Sequence, residues 1–257
     1  MLPVGVPPDY PGIVQVLIDE GVKIIETAGR DPSPVLVPLK KAGCVVIHKC
    51  VAIRHALKAA RIGADMISMD GFDCGGHPGE EDVGNWVLLA KAGQVLRQKG
   101  IPFIASGGCA TGRQLVAALA MGAEGMNMGT AFMATSEAPI HDGIKKALVD
   151  ADERQTTHIF RTMGNTERVY KNAQALKVRS IEAEHPGEFT KIWPYVKGEL
   201  YRQSFQETGD AESSVWSCGQ SIGLIDEVVS CQQLIQNVVT EAADIVQARL
   251  PTMISKL

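Results

Sequence analysis

Long apolar runs and long basic runs are both missing from this sequence of 257 residues. No stretch approaches the roughly 18 consecutive apolar residues of a membrane-spanning helix, so we expect no membrane partner. The 25 Lys and Arg residues are outnumbered by 29 Asp and Glu, and the formal net charge is −4. A nucleic-acid partner is therefore not expected. The first residues also lack the basic and apolar regions of a secretory signal peptide.

The cysteines form no Cys-x-x-Cys pair, so the sequence offers no pattern for a zinc site. Scattered cysteines are typical of reduced thiols, and we expect a cytoplasmic protein without a metal site. The six are Cys44, Cys50, Cys74, Cys109, Cys218 and Cys231.

Five short apolar segments, each too short for a helix, predict buried strands of a parallel sheet. Helical patterns lie between them, at 52–62 and 112–121. Thr111 and Gln114 have the spacing of a capping box, and Gly122 is a suitable helix stop. The five predicted strands are 22–27, 44–49, 64–69, 102–106 and 125–129.

This alternation of strand and helix, about 20 residues per unit, predicts an α/β fold of the TIM-type (β/α)₈ barrel class. A closed barrel needs eight strands, so we expect the first about three strands to be lacking. Residues 136–215 are more polar and mostly helical, which predicts a helical cap subdomain. Residues 216–257 predict a helical return to the barrel, with an apolar helix in 219–250 that ends before Pro251.

Two glycine-rich loops follow consecutive predicted strands, at Ser106-Gly107-Gly108 and at Gly129-Thr130. Glycines at strand ends let backbone N–H groups approach a phosphate closely. The loops after the last two strands of many barrels hold a phosphate in this way. We therefore predict a phosphate site, the alternative being two ordinary tight turns.

A longer Gly/Asp/Glu-rich loop, residues 70–86, follows the third predicted strand and contains Gly75, Gly76 and His77. A long loop after a parallel strand is often functional. His77 is a candidate general base or hydrogen-bond donor over a planar ligand; the alternative is a structural histidine. The acidic run 80–82 is expected to be a solvated face.

Lys49 ends the second predicted strand and shares the inward face with Val45 and Ile47, whereas His48 points the other way. A cation at this position could stabilise negative charge on a reduced isoalloxazine. The alternative for Lys49 is a salt bridge at the end of the barrel. Asp70 either orients Lys49 or binds ligand.

Four segments resemble the nitronate monooxygenase family, formerly called 2-nitropropane dioxygenases. The Gly-His-Pro-Gly-Glu form of the first resembles a subgroup similar to NAD(P)H:quinone reductases. The segments are Asp70 to Glu80, Ile104 to Gly112, Gly125 to Ala134 and Trp216 to Ile225.

This resemblance implies an FMN-bound barrel, with residues 1–135 supplying barrel strands four to eight and the FMN site. It also implies that His77 is the active-site histidine. The sequence departs from the family by lacking its opening strands, and residues 1–29 resemble the segment after the third strand. The predicted cofactor-binding residues are Lys49, Asp70, Gly75, Gly76, Ser106, Gly107, Gly108, Gly129, Thr130 and Gln220.

The reaction that the resemblance implies is the oxidation of small alkyl nitronates, such as propionate 3-nitronate, with O₂. His77 would hydrogen-bond the nitro group or abstract the α-proton of a neutral nitroalkane. One alternative is NAD(P)H:quinone reduction on the same FMN. Another is a shortened chain without catalytic activity.

Overall fold

The computed structural model describes residues 9–29 and 31–254. Residues 1–8 of the predicted segment 1–29 and residues 255–257 of the predicted C-terminal segment lie outside these ranges. Within them, none of the helices has the length and apolar character needed to cross a membrane.

Five parallel strands form one open sheet in the order of the chain, which confirms the five predicted strands. The sheet is the strand layer of a TIM-type barrel, curled but not closed by the described residues. Each strand is rich in apolar residues because the core covers it on the helix side. The strands are β1 (Ile24–Thr27), β2 (Val45–Cys50), β3 (Met66–Asp70), β4 (Phe103–Ser106) and β5 (Met126–Asn127).

Helices cross between these strands and pack on one face of the sheet. The predicted capping box is confirmed at the start of α5, where the Thr111 hydroxyl accepts the Gln114 N–H. Gly122, with φ of +95°, follows the end of that helix, as predicted. The helices of this half are α1 (Tyr10–Asp19), α2 (Ser33–Lys41), α3 (Ile53–Ile62), α4 (Asn85–Leu96) and α5 (Gly112–Ala120).

Side chains of β2 alternate between the two faces of the sheet, as predicted. Val46, His48 and Cys50 are buried on the helix side, whereas Lys49 is only half-buried on the other face. His48 Nδ1 and the Thr27 hydroxyl are hydrogen-bonded at 2.8 Å. Burial lowers the pKa of His48, which supports a structural role for this residue.

Between residues 130 and 209 short helices surround an antiparallel hairpin that the sequence did not predict. The division of the chain at residues 135 and 215 stays a prediction. The elements are α6 (Thr130–Met133), α7 (Asp142–Val149), β6 (Thr156–Ile159), β7 (Glu167–Tyr170), α8 (Ala173–Glu184), α9 (Phe189–Val196) and α10 (Gly198–Arg202).

The predicted C-terminal helix is real but its bounds were wrong. It begins with α11 (Cys231–Asp244), passes through a π-helical turn at Ile245–Arg249 and continues in α12 (Leu250–Ile254). Pro251 therefore does not end the helix. It lies directly after the π turn, where the regular hydrogen-bond pattern of the α-helix is interrupted, and proline itself donates no backbone N–H.

Helix α11 packs directly on the start of α5. A Cβ placed on Gly112 would lie 2.5 Å from the carbonyl oxygen of Val238. At the same point a Glu241 carboxylate oxygen accepts the Gly112 N–H at 2.8 Å. The glycine lets the two helices approach closely enough for this bond to form.

We predict that Gly112→Ala destabilises the protein by about 1–3 kcal/mol, because backbone atoms of α11 must move away. Gly198 is the matched control: it also begins a helix, but nothing lies within 4 Å of its added Cβ. Gly198→Ala should change stability little or raise it by up to about 1 kcal/mol, as alanine favours helix. Urea unfolding followed by circular dichroism measures both; equal effects would contradict the prediction.

Candidate active site

The carboxyl-terminal edge of the parallel sheet carries a row of polar side chains. The strand register places Asp70 opposite Ser106, and Ser106 opposite Asn127. Asp70 and Ser106 are both buried. Lys49 is the penultimate residue of the neighbouring strand β2, with Nζ 3.5 Å from a carboxylate oxygen of Asp70. The predicted residues Lys49, Asp70 and Ser106 therefore meet at one edge.

Lys49 has a second carboxylate neighbour, Glu26, which the sequence did not single out. An oxygen of Glu26 lies 3.9 Å from Lys49 Nζ. Lys49 thus makes the salt bridges that the alternative described, and the role of Asp70 toward a ligand stays a prediction. The Lys49 side chain remains 31% exposed, so its ammonium is also accessible to a ligand.

The glycine pair after β4 packs against the loop that joins β3 to α4, residues 71–84, which we call the β3 loop. Gly107 and Gly108 have φ of +85° and +70°, in the left-handed region that glycine favours. A Cβ on Gly107 would lie 2.7 Å from Cys74 Cβ, and one on Gly108 would lie 2.9 Å from Asp73 Cβ. Both glycines are required by the fold of these two loops.

Backbone donors at the ends of β4 and β5 are free. Within the described ranges, the N–H groups of Gly108 and Gly129 donate to no protein acceptor, whereas the pairing of Ser106 with Asn127 directs the Gly107 N–H at the Asn127 carbonyl. An added Cβ on Gly129 would meet nothing within 4 Å. Free N–H groups beside open space fit a bound phosphate.

His77 lies on the β3 loop and is held by the hairpin. Its Nδ1 is 3.0 Å from the carbonyl oxygen of Thr166. A carbonyl oxygen only accepts, so Nδ1 carries the proton and Nε2 of the neutral ring keeps its lone pair. Glu80 in turn accepts the Thr166 N–H and hydroxyl at 2.7 and 2.6 Å. The hairpin thus fixes the tautomer of His77.

Arg168 of β7 is the residue that anchors the β3 loop, and the sequence did not single it out. It is buried, and its guanidinium donates to the Phe72 carbonyl at 2.8 and 3.2 Å and to the Thr156 hydroxyl at 2.8 Å. Burial lowers its pKa from the ordinary value. The backbones of Arg168 and Gly76 exchange two hydrogen bonds, of 3.1 and 2.7 Å.

The acidic run 80–82 was expected to be a solvated face, and all three residues are exposed, as predicted; each carboxylate also has a protein partner. Its first carboxylate binds Thr166 as described. Asp82 accepts two hydrogen bonds of 3.0 Å from Arg161, and Glu81 pairs with Arg54 of α3 at 2.7 Å. The three carboxylates fasten the β3 loop on both sides.

A turn at residues 217–220 completes this edge. The Gly219 N–H donates to the Thr130 hydroxyl at 2.8 Å, and the Gln220 N–H donates to the Asp73 carbonyl at 2.9 Å. A Cβ on Gly75 would lie 2.6 Å from the carbonyl carbon of Cys218. Thr130, Gly75 and Gln220 are therefore brought together, although Gln220 joins through its backbone.

The thiols beside these loops are not activated. Burial raises the pKa of Cys74 and of Cys109 to about 12, and raises the pKa of Cys218 as well. Such thiols stay protonated near neutral pH and are poor nucleophiles. The polar groups of the site are consequently His77, Lys49, Asp70 and the backbone donors.

Known proteins resemble this chain over most of its length. A (3aS,4S,5R,7aS)-5-hydroxy-7a-methyl-1-oxo-octahydro-1H-indene-4-carboxyl-CoA dehydrogenase of Mycobacterium tuberculosis is 31% identical, over 89% of this chain and 74% of the relative. A nitronate monooxygenase of Paraburkholderia phytofirmans is 30% identical, over 88% of this chain and 63% of the relative.

Among solved structures, FabK from Thermotoga maritima is similar to this chain with a TM-score of 0.86 and 33% identity. The match covers 94% of this chain and 75% of that one. The family model described as nitronate monooxygenase matches residues 1–241. This match and the relatives confirm the resemblance seen in the sequence: the chain belongs to the nitronate monooxygenase family.

Proposed function

We propose that this protein is an FMN-dependent oxidoreductase that oxidises alkyl nitronates with O₂. One observation carries the proposal: free backbone N–H groups and the Lys49 ammonium lie at the same edge of the sheet. The free N–H groups of Gly108 and Gly129 suit a phosphate, and Lys49 suits a ring system that accepts electrons. This arrangement at the sheet edge also supports the set of predicted cofactor-binding residues.

The residues that would hold FMN divide into two groups. Ser106, Gly107, Gly108, Gly129 and Thr130 lie at the ends of β4 and β5 and would bind the phosphate. The others line the β2 and β3 ends and the neighbouring turn, and would border the ring: Lys49, Asp70, Gly75, Gly76 and Gln220. FMN, when bound, supplies the electron acceptor for the substrate and the route to O₂.

His77 would act on the substrate through Nε2. Because Nδ1 donates to the Thr166 carbonyl, the neutral ring offers a lone pair at Nε2 that can take the α-proton of a nitroalkane. A protonated His77 would donate from Nε2 to the nitro oxygens of a nitronate. The Thr166 contact keeps the ring orientation the same in both states.

A second candidate is dehydrogenation of a CoA thioester on the same cofactor. The name of the Mycobacterium tuberculosis relative, a carboxyl-CoA dehydrogenase, favours it. NAD(P)H:quinone reduction, suggested by the sequence of the β3 loop, remains a further alternative. In each case the partners are small molecules. All six cysteines are free, which supports the cytoplasmic location that we also propose.

We expect the purified protein, after incubation with FMN and desalting, to keep a flavin absorbance spectrum. Propionate 3-nitronate should then bleach the flavin without O₂, and O₂ should be consumed when it is admitted. Parallel reactions receive a CoA thioester, or NADH with a quinone. Turnover in only one of those reactions would identify that substrate class instead of nitronates. A colourless protein would favour a chain without catalytic activity.

His77→Asn should lower kcat with a neutral nitroalkane by about 10²–10⁴-fold, because the general base is lost. The loss should be smaller with a preformed nitronate, which needs no deprotonation. His185→Asn is the control, since His185 follows the end of α8 and its Nδ1 lies 3.4 Å from a carboxylate oxygen of Glu188. Steady-state O₂ consumption measures all variants; equal losses with nitroalkane and nitronate would rule out His77 as the base.

A further inference from the structure

Asn85, the first residue of α4, joins the β3 loop to the glycine pair after β4. Its side-chain Nδ2 donates to the Ser106 carbonyl at 2.9 Å and also to the Gly107 carbonyl. Two carbonyl acceptors require the amide nitrogen at this end, so the orientation of the side-chain amide is determined. Its oxygen is buried and accepts no hydrogen bond within the described residues.

The position of Asn85 fixes where the neighbouring N–H groups point. In a trans peptide the C=O and the N–H point in opposite directions, and every peptide bond of the described chain is trans. The Ser106 and Gly107 carbonyls point at Asn85. The N–H groups of the same two peptides, which belong to Gly107 and Gly108, must therefore point away from Asn85.

The second of these peptides, between Gly107 and Gly108, needs such a restraint. Both glycines have positive φ, and glycine has the widest choice of backbone conformations. The sheet already holds the first peptide, because the Ser106 carbonyl also accepts the Gly71 N–H at 3.3 Å. Without Asn85 the second peptide could rotate and turn the Gly107 carbonyl oxygen outward, which would repel an anion. Asn85 removes this freedom by binding both carbonyls with one amide.

Gly71 makes the position of Asn85 possible. A Cβ on Gly71 would lie 1.7 Å from the Asn85 side-chain oxygen and 2.7 Å from its Cα. The contact with Cα involves backbone, which a change of side-chain rotamer cannot relieve. Any larger residue at this position must displace the start of α4, and with it the Asn85 amide.

We propose that Asn85 is a positioning residue that aims the Gly108 N–H group at the phosphate of FMN. The proposal rests on the proposed function, because it assumes that FMN is the ligand. It assigns Asn85 no contact with the cofactor. Its effect is confined to the phosphate, since the peptide that it orients belongs to the phosphate loop.

The test compares two flavins that differ only in the phosphate, FMN and riboflavin, with dissociation constants measured by flavin fluorescence. Asn85→Ala and the nearly isosteric Asn85→Asp, whose carboxylate repels both carbonyls, should weaken FMN binding by about 10- to 100-fold. The dissociation constant of riboflavin should change by less than about twofold. That change is smaller than the loss of one hydrogen bond would cause. Asn165→Ala, an exposed asparagine in the turn between β6 and β7, is the matched control.

Gly71→Ala provides a second variant that leaves Asn85 itself intact. It should cause the same selective loss of FMN affinity, because the added methyl group displaces the amide. This variant tests the positioning role of Asn85 if circular dichroism shows that the Asn85 variants do not fold.

The outcomes distinguish a failure of the proposed function from a failure of the role of Asn85. Parental protein that binds neither flavin would overturn the proposed function and this assignment with it. Parental protein that binds FMN, with variants that bind FMN equally well, would overturn the role of Asn85 alone. Variants that lose FMN and riboflavin to the same extent would show that Asn85 only supports the fold, and would also overturn the assignment.

Discussion

The exchange of two backbone hydrogen bonds between Gly76 and Arg168 joins the barrel half of the molecule to the hairpin. Alternate residues of a strand direct their N–H groups to the same side, so Tyr170 uses the same edge of β7 when it donates to the Trp216 carbonyl. The β3 loop and the segment before the 217–220 turn are therefore aligned along one strand edge. The positions of His77 and Gln220 both depend on this alignment.

The electrostatics of the site follow from the unequal burial of the two sheet faces. Helices cover one face, and desolvation there lowers the pKa of His48. The other face carries Glu26, Lys49 and Asp70, of which Asp70 is buried and the other two are partly exposed. Charge is thus kept where water or a ligand can reach it, while the apolar core is confined to the helix side.

Local patterns were sufficient to predict the five parallel strands, the capping box of α5 and the alternation of side chains along β2. They also placed the glycine pair at a strand end. The hairpin was missed because its two strands are only four residues each and are rich in polar residues. Three residues were missed for another reason, namely Glu26, Asn85 and Arg168. Each acts through contacts with residues distant in sequence. No pattern in a single sequence encodes the register between strands or the packing of a loop on a hairpin.

The raised pKa values of Cys74 and Cys109 have a consequence for the proposed reaction with O₂. Oxidants attack the thiolate form, and thiols with a pKa of about 12 present almost none of it at neutral pH. Sulfur can therefore line the loops next to the site without being consumed by an oxidant. Desolvation, which packs these loops, thereby also gives them chemical durability over many turnovers.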